Sequence, residues 1–349
     1  MTKFGATKVA KTGKTGKSGD KKPSNFAKYR ERNRASDGYL LRTDIRRVLG
    51  NFLMVVLLFG LCFLILQPLF HQFSNAIMSR DDLFDPTVIT IPRQPSWANF
   101  RQAAELMNYW SSLFSTIVIT FSVAVLQIAA CTLVAYGFSR FNFPLKRFWF
   151  ACVIVTIIVP PHTIMASMFL NFRFFDLFGF VSLINGEPIN LLQTVQGYLI
   201  LSAGAMGLRN GLYIFMLRQY FRNMPKELEE SAWVDGCGKL RTFAQIMLPD
   251  AVPMLVSCFL FAFVWQWTDG FYTGMFLQGQ GVMAHQMSSL GEAFRVAYAN
   301  MNDAVPPSIA QIEAMISTGV LMGITPIIAI YLVAQRFFVE SIGQSGIKM

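Results

Sequence analysis

The sequence predicts an all-α membrane protein with six transmembrane helices. Three observations carry that expectation. Of 349 residues, 53% are apolar and 14% charged, more apolar surface than a soluble domain needs to fill its core. Five uncharged runs, each long enough to cross a bilayer as a helix, separate the charged segments. A sixth apolar run is interrupted by one charge, Arg209.

Residues 1–47 form the first expected domain. Up to about residue 26 they are Lys, Thr, Gly and Ser with almost nothing to bury, which predicts a disordered basic arm that touches anionic lipid. Thr12-Gly13-Lys14-Thr15-Gly16-Lys17-Ser18 superficially suggests a phosphate loop. A Walker A pattern needs Gly five residues before its Gly-Lys, where Lys8 and Lys11 stand, and no apolar strand precedes them. Residues 27–47 set Tyr29, Tyr39, Leu40, Leu41 and Ile45 among arginines, as in a helix lying on a membrane surface.

Residues 48–349 form the six-span domain. No charge lies between Arg47 and Arg80, so a first span is placed at about 48–70, too far in and too long for a cleaved signal peptide. Pro86, Pro92 and Pro95 argue for an extended or turning path over 71–108. The second and third spans, about 111–135 and 148–169, make a hairpin around a basic turn, and Pro160-Pro161 should break the third. The fourth, about 198–220, puts Arg209 near mid-membrane. There a charge costs roughly 2.5–3.5 kcal/mol and is expected to face water, a partner or a ligand; a structural ion pair or a shifted span are the alternatives. The fifth and sixth are placed at about 251–270 and 314–335. Trp265, Trp267 and Tyr272 fall where an aromatic belt belongs, with sugar stacking as the other role for the tryptophans. Residues 274–312 read as a long loop.

Between the fourth and fifth spans lies the longest strongly polar segment after the arm, 221–249. Pro225 suits a helix start, and Glu227, Glu229 and Glu230 follow in the first turn, where the helix dipole favours acids. Gly236 and Gly238 permit a tight turn. Lys239 to Met247 then resumes a helical pattern, which Pro249 is expected to stop. The product is a compact helix–turn–helix between two spans.

Glu230-Ser231-Ala232, Gly236 and Ile246-Met247-Leu248-Pro249 resemble the EAA signature of ATP-binding-cassette importer permeases, with every spacing matched and Ser231 in place of the usual first alanine. Asp235, Pro225 and Leu228 narrow the resemblance to the maltose-type carbohydrate permeases. Trp267-Thr268-Asp269-Gly270-Phe271 is similar to a W-N-D-F pattern of that family. Gln335-Arg336-Phe337-Phe338, Gly343 and Gly346-Ile347-Lys348 resemble its closing tail, residues 336–349 here. The resemblance covers roughly the C-terminal half. It implies the type I importer permease fold and an ATPase-coupling role for Glu230, Ser231, Ala232, Asp235, Gly236, Ile246, Leu248 and Pro249. It further implies ATPase contacts from Gln335, Gly346 and Lys348. Trp267 and Asp269, with Arg209, are the candidates for the substrate pathway. The implied partners are a second permease, an ATPase dimer that carries the ATP and Mg, and an extracellular binding protein, with a sugar or oligosaccharide as cargo.

The resemblance implies a bacterial cell membrane, and the charge distribution orients the chain in it. Lys and Arg number fourteen in residues 1–48, three in 137–147, five in 218–249 and two in the tail, against Arg80, Arg93, Arg101, Arg173 and Arg295 on the opposite side. The positive-inside rule then puts both termini and the polar loop in the cytoplasm, and the net charge of +10 needs no nucleic acid. His71, His162 and His285 are isolated and the five cysteines show no ligand spacing, so neither a catalytic nor a metal site is expected, and no cofactor on this chain. Two rivals remain: a permease for a non-sugar solute, and a membrane anchor or enzyme acting through its outer loops.

Overall fold

A computed structural model describes residues 29, 33–35, 39–85, 87–301 and 306–346. Within it the chain divides into two compact units, residues 1–68 and 69–349. The basic arm expected over 1–26 lies outside the described residues.

The first unit is dominated by α1 (Tyr39–Ile77), which runs on into the second. Residues 39–47 continue this helix without interruption, so they are not the separate surface helix expected. The charge-free stretch that follows is good helix-forming sequence, and none of its most apolar window is buried in the protein. It is a surface made for lipid or for another chain.

In the second unit the segment after α1 is more helical than its prolines suggested. α2 (Arg80–Phe84) and α3 (Ala98–Leu106) flank an irregular stretch. Ser79 caps α2 by accepting the Asp82 amide hydrogen at 3.2 Å. Asn99 holds α3 to the end of α1, its Nδ2 donating to the carbonyls of Ala76 and Met78, each at 3.0 Å.

The mast of the unit is α4 (Tyr109–Arg140). Along one face, Ala124, Cys131, Ala135 and Tyr136 are buried and meet two later helices, α9 (Asn210–Asn223) and α13 (Val252–Thr268). Before these come α5 (Lys146–Ile158) and, past a 3-10 turn over Pro161–Ile164, α6 (Met165–Arg173). The two halves of this third run bend by 105° at the proline pair, because proline donates no N–H and its ring clashes with the preceding turn. A small α7 (Phe180–Asn185) follows, then α8 (Val195–Ala203).

The fourth run is not one helix. α8 ends at Ala203 and α9 begins at Asn210, and Ala205 and Arg209 between them both have positive φ, 53° and 58°. The expected continuous span over 198–220 is therefore corrected to two short helices around a break. Gln127 of α4, almost fully buried, stabilises that break by donating to the Leu208 carbonyl at 2.5 Å and to Asn210 Oδ1. Irregular backbone at membrane depth persists only where such partners exist. α9 then packs tightly on α5 at Gly211, where an added Cβ would come 2.8 Å from the Val153 carbonyl oxygen.

The polar segment contains α10 (Glu227–Val234), α11 (Lys239–Thr242), a π-helical turn over Phe243–Met247, and α12 (Leu248–Asp250). The helical run Lys239–Asp250 ends one residue past Pro249, close to the stop expected there. The π-helical turn runs directly into α12, which carries Pro249, and a bend of 73° then leads into α13. α14 (Phe271–Phe276) follows.

The expected loop over 274–312 instead contains a 19-residue helix, α15 (Met283–Met301). It turns Met283, Leu290 and Phe294 into a cluster with Met107, Ile312 and Met315. The final helix, α16 (Ile309–Gly346), spans the sixth run and continues through most of the expected tail.

Among the described residues three single helices are long and apolar enough to cross a membrane, or up to five spans if each bent pair counts as one. The fourth run, broken over residues 204–209, is the remaining candidate for a six-span chain.

Candidate functional site

Two features stand out, a polar knob at one end of the helices and a cavity between them. The knob begins with α10. Its sequence places Glu229 and Ala232 one turn apart, and this face turns inward: both are buried. Tyr136 donates its hydroxyl hydrogen to Glu229 Oε1 at 2.9 Å. Arg140 Nε lies 3.5 Å from the same oxygen, and its Nη2 donates to the Met224 carbonyl at 2.9 Å. The last turn of α4 thus grips both the end of α9 and the inner face of α10. Phe243 of the π-helical turn packs on the Tyr136 ring with centroids 4.5 Å apart.

The knob turns at Gly236. Its φ of 86° lies in the left-handed region, its N–H donates to the Trp233 carbonyl at 3.0 Å, and the Cys237 N–H donates to the Ala232 carbonyl at 2.9 Å. This pair of bonds is a Schellman closure, which satisfies two orphan carbonyls and favours glycine at that position. Gly238 has an ordinary negative φ, so only one glycine of the pair is conformationally required.

The outer surface is mixed. Glu230, Ser231 and Asp235 are exposed, and so are Trp233, Val234 and Leu240, the last two at 88% and 84%. Ile246 and Leu248 are half-buried, Pro249 is exposed, and Met247 between them is the residue buried in the core. Exposed large apolar side chains next to carboxylates, on a rigidly closed turn, make a surface suited to docking on another protein. In the tail, Gln335 is exposed, Gly346 is the last residue of α16, and Lys348 lies outside the described residues.

The cavity has a volume of about 880 Å3. It is lined by the 3-10 turn and α6, by the break before α9, by the end of α13 and by α14. Of the three pathway candidates, Arg209 and Asp269 line it and Trp267 does not. Trp267 is 1% exposed and donates its Nε1–H to the Gly323 carbonyl at 3.2 Å, tying α13 to α16. Tyr272 is equally buried. Neither forms the aromatic belt that their spacing suggested, since both face the core. Trp265 is the tryptophan at the cavity, with the Arg209 guanidinium 4.2 Å from its ring centroid.

Asp269 is itself a cap. One oxygen accepts the Phe271 amide hydrogen at 3.3 Å, the other those of Tyr272 and Thr273 at 2.8 and 3.1 Å. Sequence reasoning missed Arg173 and His162, which share the cavity, and Glu229, which anchors the knob. The three acids in the first turn of α10 were visible, but which one faces inward was not. Among the described residues no group of three His, Cys, Asp or Glu side chains could hold a metal ion.

Comparison with known proteins places this geometry in context. The family profile described as binding-protein-dependent transport system inner membrane component matches residues 127–341, from the middle of α4 into the tail. A probable ABC transporter permease protein of Pyrococcus horikoshii is 29% identical over 48% of this chain and 54% of its own length. The sn-glycerol-3-phosphate transport system permease protein UgpE of Yersinia enterocolitica is 26% identical over 86% of this chain and 98% of its own. Among solved structures, a bacterial ABC transporter involved in the import of the acidic polysaccharide alginate matches with a TM-score of 0.65 and 22% identity, covering 84% of this chain and 97% of that one. That likeness establishes a shared fold. The matched region contains both knob and cavity, and the chain belongs to the family of binding-protein-dependent transport system inner membrane components.

Proposed function

We propose that this chain is one of two permease subunits of an ATP-binding-cassette importer, and that it passes a sugar or oligosaccharide across a bacterial cell membrane. Cargo arrives from an extracellular binding protein. ATP and Mg are held by a separate ATPase dimer, and both termini of this chain lie on the ATPase side.

The knob is the observation that carries the reading. A rigid turn with an exposed mixed surface, gripped from within by Arg140 and Tyr136, can pass the closure of an ATPase on to α4 and α9 as rigid-body movement. Glu230 and Asp235 offer acceptors to the ATPase, and Trp233, Val234 and Leu240 offer apolar contact. Ser231, Ala232, Gly236, Ile246, Leu248 and Pro249 shape the knob, and Gln335, Gly346 and Lys348 add a second contact from the tail. The cavity at the α9 break suits a site around which helices rock to alternate access. Carbohydrate as the cargo class is supported by its exposed amide lining and by Trp265. It is further supported by the cargoes named for the Yersinia relative and the alginate importer, both rich in hydroxyls.

The test is co-purification from native membranes in mild detergent, with Glu230→Lys and Gly236→Pro beside the wild type. An ATPase and a second permease should accompany the wild type and be depleted in both variants. A folded chain that purifies alone in every case overturns the reading.

A further inference from the structure

The cavity carries a charge that import of a carbohydrate does not by itself require. Arg173 closes α6 and Arg209 precedes α9, and both open into the cavity beside His162. Among the described residues the ion pairs within 4.0 Å are Arg93–Asp85, Arg140–Glu229 and Arg295–Glu292, so neither cavity arginine has a carboxylate partner. The cavity's one acid, Asp269, is buried and occupied by three backbone amides. A carboxylate engaged in capping a helix contributes little to neutralising arginines elsewhere on the wall.

Arg209 is also held in place. Its φ of 58° is a conformation an arginine rarely adopts, stabilised here by the Gln127 hydrogen bonds to Leu208 and Asn210. The contact with Trp265, guanidinium carbon 4.2 Å from the ring centroid, is a cation–π one that uses no N–H donor and leaves the donors for a ligand. Asn190, Gln193 and Gln278 supply amides suited to hydroxyl groups.

We infer that the cavity takes a carbohydrate bearing an anionic group, a carboxylate or a phosphate ester, recognised by Arg209 and Arg173. A guanidinium fork meets either group with two parallel charge-assisted hydrogen bonds. The inference rests on the import reading above.

The experiment uses the importer purified with its companion chains and reconstituted in vesicles with its binding protein. ATP-driven uptake is measured for trigalacturonate, glucose 6-phosphate and maltotriose. At least one anionic probe should enter the wild type faster than maltotriose, and which one enters identifies the anionic group. Arg209→Gln and Arg173→Gln should slow that probe about tenfold or more, with Arg209→Lys retaining part of the rate and ATPase co-purification unchanged. Uptake of neither anionic probe, or Gln variants that import them at the wild-type rate, overturns the inference. Such results leave the import function standing if maltotriose enters. A chain that brings no ATPase with it and imports none of the three removes both.

Discussion

Arg140 and Glu229 face each other at 3.5 Å with their side chains 7% and 6% exposed, joining the last turn of α4 to the first turn of α10. Removing one partner of a buried pair leaves the other charge uncompensated, at a cost of about 3–5 kcal/mol. Glu229→Ala should therefore lower the thermal midpoint in detergent and open the knob to protease, whereas Glu230→Ala, at an exposed neighbour, should do neither. Arg140→Met with Glu229→Leu should recover much of the loss. Equal stability of the two glutamate variants would show that the pair anchors nothing.

Gly236 and Gly238 look interchangeable in sequence and differ in backbone. With φ at 86°, Gly236→Ala should cost about 1–2 kcal/mol, the penalty of the left-handed region for a residue with a Cβ. Gly238→Ala, at φ −73°, should be close to neutral. Thermal unfolding of the two variants side by side checks this, since neither position has a neighbour that a Cβ would strike.

The class of fold was legible because charge is excluded from the bilayer interior, and Arg47, Arg80, Arg140 and Arg173 punctuate the sequence accordingly. The break at Pro160-Pro161 was legible for a local reason, the missing N–H. The break before Arg209 was not, because much of what stabilises it comes from Gln127, some eighty positions earlier. Trp267 and Tyr272 misled for a related reason: aromatic spacing at a span end does not say which way a ring faces, and both turned inward. The exposed half of the knob showed in its motif. Its anchor did not, because Glu227, Glu229 and Glu230 all suit a first turn and the tertiary contact to Arg140 selects among them. In the cavity, Arg209 stood out as a lone charge, while Arg173 read as the end of a span until the fold brought the two to one cavity.

Close approach of α9 to α5 depends on Gly211. A side chain there would meet Thr156 and the Val153 carbonyl, so Gly211→Leu should force the helices apart at a cost of about 1–3 kcal/mol. Gly137→Ala, at an open position inside α4, is the control and should not lower stability, since alanine is the better helix former. Replacing Gln127 by Leu should act at the same joint by a different route, leaving the Leu208 carbonyl and the Asn210 side chain without their donor at about 1–3 kcal/mol. Both variants should lower the thermal midpoint, and Gln127→Leu should in addition raise hydrogen exchange over 204–210.

The segment after α6 carries a pH dependence whose sign is set by Asp176. The Ser182 hydroxyl donates to one of its oxygens, and the Val181 and Ser182 amides donate to the other at 3.0 and 3.2 Å. These bonds favour the ionised form and hold the carboxyl below the usual range, the Ser182 hydroxyl contributing most and burial opposing it. A depressed folded pKa means the stabilisation is complete above the unfolded value of about 3.9 and fades as the pH falls through the lower folded value. Hydrogen exchange at Val181 and Ser182 should therefore stay slow at neutral pH and rise only in acid below about pH 4. Asp176→Asn, which has one acceptor oxygen and no charge, should exchange faster already at pH 7 and show little further change in acid. Equal protection in the two proteins at pH 7 would mean that α7 is held by its backbone alone, through bonds such as Leu183 N–H to the Gly179 carbonyl at 3.0 Å.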